Sequence, residues 1–252
     1  MSNEHYFLLV KIWITLGIIL FPVLLSITAP YGRHSRKDWG PMIPNRLAWM
    51  IMELPTLAMF VIFFFMGPNP INLVTLVFFL SYTIHYANRA VIFPLRTRTS
   101  KKLMPLIIAL LAICFNLVNG FINGYYFGTV SDGYNLEWFY DIRFMAGVLL
   151  FVVGMAINLR SDNILLSLRQ SSSNGYSIPT GGLFKFVSCP NFFGEMLEWT
   201  GFAIMTWSPA ALTFAIWTVV NLVPRALDHH RWYRAKFPDY PVERKAVIPF
   251  VV

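Results

Sequence analysis

Four pairs of polar residues stand four positions apart in the second half of this chain: Asn158 and Asp162, Asn191 and Glu195, Arg225 and His229, His229 and Tyr233. On a helix, residues at that spacing share a face, one turn apart. Carboxylates and amides so arrayed can hold ribose hydroxyls or a carboxamide, and Arg89, Arg98 or Arg169 can hold phosphates. The inventory suits a dinucleotide. It is not a Rossmann site: no GxGxxG follows a strand, and no Walker motif occurs. A second candidate lies upstream. The stretch "RLAWMIMELPTLAMFVIFFFM", Arg46 to Met66, is oily enough to cross a bilayer, yet it contains an acid, Glu53. Pro55 follows it and can bend the helix to widen a cavity. "HYANR" then brings His85, Tyr86, Asn88 and Arg89 into another apolar run. Ionisable groups at membrane depth are costly unless they face a partner or a cavity, so these are functional candidates. Spacing alone leaves the chemistry open between a transporter, a lipid methyltransferase and a reductase.

These residues must be positioned by membrane helices. Of the 252 residues, 56% are hydrophobic and only 13% are charged, too little polar surface for a soluble domain of this size. About 20 apolar residues cross a bilayer as a helix. Seven such stretches, near 6–28, 46–66, 71–95, 103–128, 138–159, 191–207 and 209–233, predict an all-α polytopic membrane protein with seven transmembrane helices. Only "WSP", Trp207 to Pro209, separates the last two, as a tight turn or as the kink of one long helix. Basic residues fall in alternate loops: Arg33, Arg36 and Lys37; Arg96, Arg98, Lys101 and Lys102; Arg160, Arg169 and Lys185; then Arg231, Arg234, Lys236, Arg244 and Lys245 after the last stretch. Positive loops stay in the cytoplasm, which predicts an outside N-terminus and a cytoplasmic C-terminus. Topology thus accounts for the net charge of +8, and no nucleic acid is needed. "MSNEHYF" carries no Lys or Arg ahead of the first stretch, which reads as a retained helix and not a signal peptide. Cys114 and Cys189 are expected to form no disulfide and have no metal-ligand spacing. Glu198 reads as a hydrogen-bond partner of a neighbouring helix, and Trp232 as part of an interfacial aromatic belt.

Three longer motifs carry a resemblance: "GMAINLRSDNILLSLR", "GYSIPTGGLFKFVSCPNFFGEMLEWTGFA" and "RALDHHRWYRAKFPDYPVERKAVIPF". Together with "YGRHS", "ELP", "HYANR" and "YDIRF" upstream, they resemble the steroid 5α-reductase family along almost the whole chain. The resemblance implies a seven-helix enzyme that uses NADPH to reduce the double bond of a Δ4-3-ketosteroid. It implies that Glu53 and Tyr86 hold the substrate's ketone oxygen. It also implies cofactor positions at Tyr31, Arg89, Asn158, Asp162, Arg169, Asn191, Glu195, His229 and Tyr233, with Arg98 taken for a phosphate. Met52 departs from the glutamine frequent before the acid, "LRTRTSKK" matches the family's loop poorly, and Ser177 stands where a basic residue is common.

On this reading residues 1–252 form one membrane domain. Residues 1–128 supply the substrate side and 129–252 the NADPH-binding helices. A carboxyl group held in hydrocarbon favours its neutral form, so Glu53 could donate a hydrogen bond beside the Tyr86 phenol. Charge developing on an enone oxygen would be stabilised by those two donors. The partners expected are a lipophilic 3-ketosteroid-like substrate entering from membrane lipid and NADPH entering from the cytoplasm. The expected state is a monomer, without metal, in the inner membrane of a bacterium or the endoplasmic reticulum of a eukaryote. The alternatives are a same-fold reductase of another lipid enone or enoyl thioester, an isoprenylcysteine-type methyltransferase using S-adenosylmethionine, and a non-catalytic sterol-binding protein.

Overall fold

The computed structural model of the chain describes residues 1–97, 102–171 and 176–252, and every side chain among them except those of 169–171. Among the described residues eight α-helices run in order: α1 Asn3–Ser26, α2 Asn45–Met66, α3 Leu73–Ala87, α4 Phe93–Arg96, α5 Leu106–Tyr125, α6 Ile142–Ser171, α7 Pro190–Thr206 and α8 Pro209–Lys236. A π-helical turn, Asn88–Ile92, carries α3 directly into α4, and a second, Tyr126–Val130, extends α5. The seven expected stretches are therefore all helical. Six of them, with α3 and α4 counted as one, are long and apolar enough to cross a membrane. The 22 residues of α2, for example, rise about 33 Å, close to the thickness of a hydrocarbon core. With 17 residues, α7 is the short one, and much of it is buried. The "WSP" segment is a turn: Trp207 closes α7 in the left-handed region at φ 47°, and Ser208 caps α8 by accepting from the Ala211 amide.

Apolar side chains such as Ile12, Ile18, Ile19, Leu111 and Leu149 point outward, as a lipid-facing surface requires. The interior is aromatic. Tyr82 stacks on Phe60 at 3.9 Å between centroids, and Trp199 packs on Phe214 at 4.1 Å. Two glycine rows let backbones approach closely. Gly120, Gly124 and Gly128, four apart on the α5 face, meet the backbone of α2, and a Cβ at Gly124 would lie 2.6 Å from the Phe60 carbonyl. Gly147 and Gly154 of α6 meet Gly194 and Gly201 of α7 in the same way. Small residues in register are how helices pack where no hydrophobic drive exists between them.

At one end of the bundle, segments from the four basic regions touch. β1, Met42–Pro44, pairs antiparallel with β2, Leu103–Pro105. Lys102 donates to the Tyr176 hydroxyl at 3.1 Å. The Arg33 guanidinium lies over the rings of Tyr233, Trp232 and Tyr176. Val187 and Lys245 form a parallel bridge that ties the C-terminal tail to the start of α7. Trp232 thus does more than sit in an aromatic belt, because its ring covers a cation.

Candidate functional site

The basic end opens into a cleft between the ends of α2, α4, α6, α7 and α8. Six of the expected cofactor residues line it: Tyr31, Arg89, Asp162, Asn191, His229 and Tyr233. Asn158 stands just behind. Its amide donates to the Asn191 carbonyl at 3.0 Å, and the Asn191 amide donates to Asp162 at 3.1 Å. The α6–α7 glycine contact sets these bonds, since Gly194 lies against the Asn158 backbone. The spacing argument therefore converges on one wall. Glu195 does not line the cleft. It is one turn beyond Asn191, and it shares a charged cluster with Arg89, Glu53 and His85. Arg98 lies outside the described residues, as does the side chain of Arg169.

Arg225 was a polar suspect of α8, and it has a holding role. Its guanidinium lies 3.4 Å from the Tyr31 ring centroid and donates to the carbonyls of Ala29 and Tyr31. His34 meets His229, Nε2 to Nδ1, at 3.0 Å, with the rings stacked. Burial, followed by Arg225 and Arg33, pushes His34 down to about 4. The Cys189 thiol on the cleft wall is pushed up to about 12 by burial, and both cysteines are free. Among the described residues no group of His, Cys, Asp and Glu is arranged to hold a metal ion.

Sequence reasoning passed over Arg33, Asn45, Trp49 and Lys102, which also line the cleft. Arg33 Nη1 is buried without a hydrogen-bond partner. With Arg89, Lys102 and Arg225 it gives the cleft four cations, beside amides and a carboxylate. That donor set fits an anionic nucleotide, with phosphates on the cations and hydroxyls or an amide on Asn191 and Asp162.

One turn above Trp49 on α2 the cleft gives way to Glu53. The Asn116 side chain of α5 donates to the Met52 carbonyl, next to Glu53, at 2.5 Å. Tyr86 is 4% exposed and stacks on Phe214. Its neighbour His85 is bonded at 2.8 Å to Glu198, which has no exposed surface. Glu198 is thus the interhelical partner its sequence suggested. Glu53 and Tyr86 lie beyond the cleft wall, and Arg89 stands between the two regions.

Fold and site together define an integral membrane protein of helices, with a cationic cleft at one end and a half-buried acid and a buried phenol behind it. The family model described as 3-oxo-5-alpha-steroid 4-dehydrogenase matches residues 102–252. A steroid 5-alpha-reductase DET2 of Gossypium hirsutum is 44% identical over 254 aligned residues, covering 98% of this chain and 96% of the relative. One of Arabidopsis thaliana is 45% identical over 236 residues, with 91% and 90% covered. The 3-oxo-5-alpha-steroid 4-dehydrogenase 1 of Homo sapiens is 38% identical over 240 residues, with 93% and 91% covered. The chain belongs to the 3-oxo-5-alpha-steroid 4-dehydrogenase family.

Proposed function

We propose that this protein reduces the Δ4 double bond of a 3-ketosteroid, with Glu53 and Tyr86 as the two donors to the ketone oxygen and the cleft as the site of NADPH. Family membership makes it an oxidoreductase acting on a CH–CH bond. The observation that carries the finer reading is the pairing of a cation-lined cleft with a half-buried carboxyl and a buried phenol just past its inner wall. NADPH bound in the cleft supplies a hydride. An enone that accepts hydride at its β-carbon gathers negative charge on its oxygen. Tyr86 donates its phenolic proton toward that charge, and Glu53 donates as a neutral acid. The aromatic packing on Tyr86 keeps water from its ring, which strengthens its donation. Asn191, Asp162, Asn158, His229, Tyr31 and Tyr233 would hold the cofactor's hydroxyls and carboxamide, and Arg89 with Arg33 and Lys102 its phosphates.

In this reading the chain is a monomer with seven crossings, α7 included, and its basic end faces the cytoplasm. Residues 1–128 form the substrate side and 129–252 the cofactor side. The test is turnover of a 4-en-3-one steroid by purified protein with NADPH, beside S-adenosylmethionine as the competing cofactor. Tyr86→Phe and Glu53→Ala should each lower the rate by about 10²- to 10³-fold. Glu53→Gln keeps an N–H donor and should retain part of the activity. NADPH affinity should stay near wild type in all three. Wild-type rates in both Tyr86→Phe and Glu53→Ala would sink the assignment of the donors, and no NADPH-dependent turnover in the wild type would sink the reading as a whole.

A further inference from the structure

Glu53 stands on a weakened turn of its helix. Pro55 lies inside α2, two residues past the acid. In a helix each amide N–H bonds the carbonyl four residues back, so the proline leaves the Ile51 carbonyl without its helical donor. A turn short of a bond can flex, and an oxyanion donor must not: a displacement of about 1 Å can cost on the order of 10²-fold in rate. The next carbonyl along, that of Met52, is gripped from a neighbouring helix. The Asn116 side chain of α5 donates to it at 2.5 Å. That carbonyl belongs to the peptide unit joining Met52 to Glu53. Because the unit is planar, holding its oxygen holds the plane in which the Glu53 Cα lies. Asn116 and Met52 are both buried, so water has little access to replace the bond.

The packing of α5 on α2 gives Asn116 its reach. Gly120 stands four residues on, on the same face, and a Cβ there would collide with the Thr56 carbonyl. Backbones that close let a side chain as short as asparagine meet a main-chain oxygen of the facing helix. The amide does not serve the cleft, since Asn116 is not among the residues that line it. Asn123 on the same helix is as deeply buried, yet it gives its amide to the Asn119 carbonyl within α5. Asn116 differs in crossing to the helix of the acid, at the peptide where the acid begins. We propose that Asn116 is a positioning residue for Glu53: it braces the turn that Pro55 weakens and so holds the carboxyl where it meets the ketone oxygen together with Tyr86. The proposal rests on the reading of Glu53 as a donor, and Asn116 acts through Glu53 alone.

The test pairs kinetics with a readout that needs no turnover. Asn116→Leu removes the amide at similar size, and Asn116→Ala is read in its place if the leucine variant does not fold. Asn123→Leu removes an equally buried amide that stays within α5. Asn116→Leu should lower kcat about tenfold with NADPH affinity unchanged, while Asn123→Leu stays within about twofold of wild type. In a Glu53→Ala background Asn116→Leu should cost almost nothing further, because no carboxyl is left to place. In the complex with NADP+ and a steroid carrying a ¹³C label at its ketone carbon, a weaker donor shows as a carbonyl stretch at higher frequency. That shift is expected in Asn116→Leu and absent in Asn123→Leu. Three results would overturn the proposal: a stretch unmoved by Asn116→Leu, an equal shift in Asn123→Leu, or the same fold-loss of rate from Asn116→Leu with and without Glu53. A stretch that Glu53→Ala itself leaves unmoved would sink the reading of Glu53 as a donor, and the proposal with it. If the steroid binds but is never reduced, the stretch still decides the proposal, while the failed turnover counts against the enzymatic reading alone.

Discussion

At the scale of single residues, the cleft wall depends on groups that hold one another before they can hold a ligand. Asn191 gives its amide to Asp162 and its carbonyl to Asn158, so it fixes both partners at once. Asn191→Ala should weaken NADPH binding by about 1–3 kcal/mol, because it removes the amide donor to buried Asp162 while the backbone carbonyl that Asn158 uses remains. Tyr233→Ala should do as much, since it also uncovers one face of Arg33. Titration calorimetry on folded variants reads both, and unchanged affinity in the two would remove them from the site. His34 carries a pH dependence. Its folded value of about 4 lies below the ordinary 6.5, so between those limits the unfolded chain binds the extra proton. The stabilising contribution is therefore complete above about pH 6.5 and lost as pH falls toward 4. Protonated His34 can only donate in the His34–His229 bond, so His229 Nδ1 must then be the acceptor. Thermal melting across this range should show a slope that His34→Asn flattens. An unchanged slope in His34→Asn would assign the pH dependence elsewhere.

At the scale of elements, the site is built where two glycine rows draw helices together. The α5 row sets Asn116 and Asn119 against α2, where Glu53 and Thr56 stand, and the α6–α7 row sets Asn158 against Asn191. A Cβ at Gly194 would lie 2.6 Å from the Asn158 amide nitrogen. Gly194→Val should push α6 and α7 apart, cost about 1–3 kcal/mol or more of stability and reduce NADPH binding. Gly124→Val should destabilise comparably but spare NADPH affinity in whatever folds, since its neighbours lie on the Glu53 side. Melting temperature and cofactor titration separate the two. If Gly124→Val alone lost the cofactor, the division of labour between the helix pairs would be wrong. Both rows stand in the sequence at spacings of four and seven, yet they were not legible as packing faces, because a glycine count says nothing of which helix it meets. The helices themselves were legible from apolar length, and the gathering of Asp162, Asn191, His229 and Tyr233 on one cleft wall from four-residue spacing. Arg33, Lys102 and Trp49 were not, because loop cations and aromatics read as topology and belt until the fold folds them over a cleft.

At the scale of the whole molecule, an apolar substrate and a charged cofactor must reach adjacent points from different phases. Lipid-facing side chains cover the outside of the bundle, and the four basic regions meet at one end around the cleft mouth. A nucleotide phosphate cannot cross hydrocarbon, so that mouth must face the compartment that holds the cofactor. The opposite end is closed by its own contacts: the Asn69 side chain donates to the Phe127 and Ser131 carbonyls, Tyr134 donates to the Thr206 carbonyl, and Trp138 to that of Met205. It is poor in cations by comparison, and Arg143 there is neutralised by Asp141 at 2.7 Å. Positive segments retained in the cytoplasm and a cofactor supplied there require the same orientation. An odd number of crossings, with α7 counted among them, puts the two termini on opposite sides. A reporter active only in the cytoplasm should therefore work after Val252 and fail before Met1, and one active only outside should give the reverse pair. Both termini on one side would mean that α7 does not cross. A C-terminus found outside would point the cleft mouth away from cytoplasmic NADPH, and the assignment of that cofactor would fall with the topology.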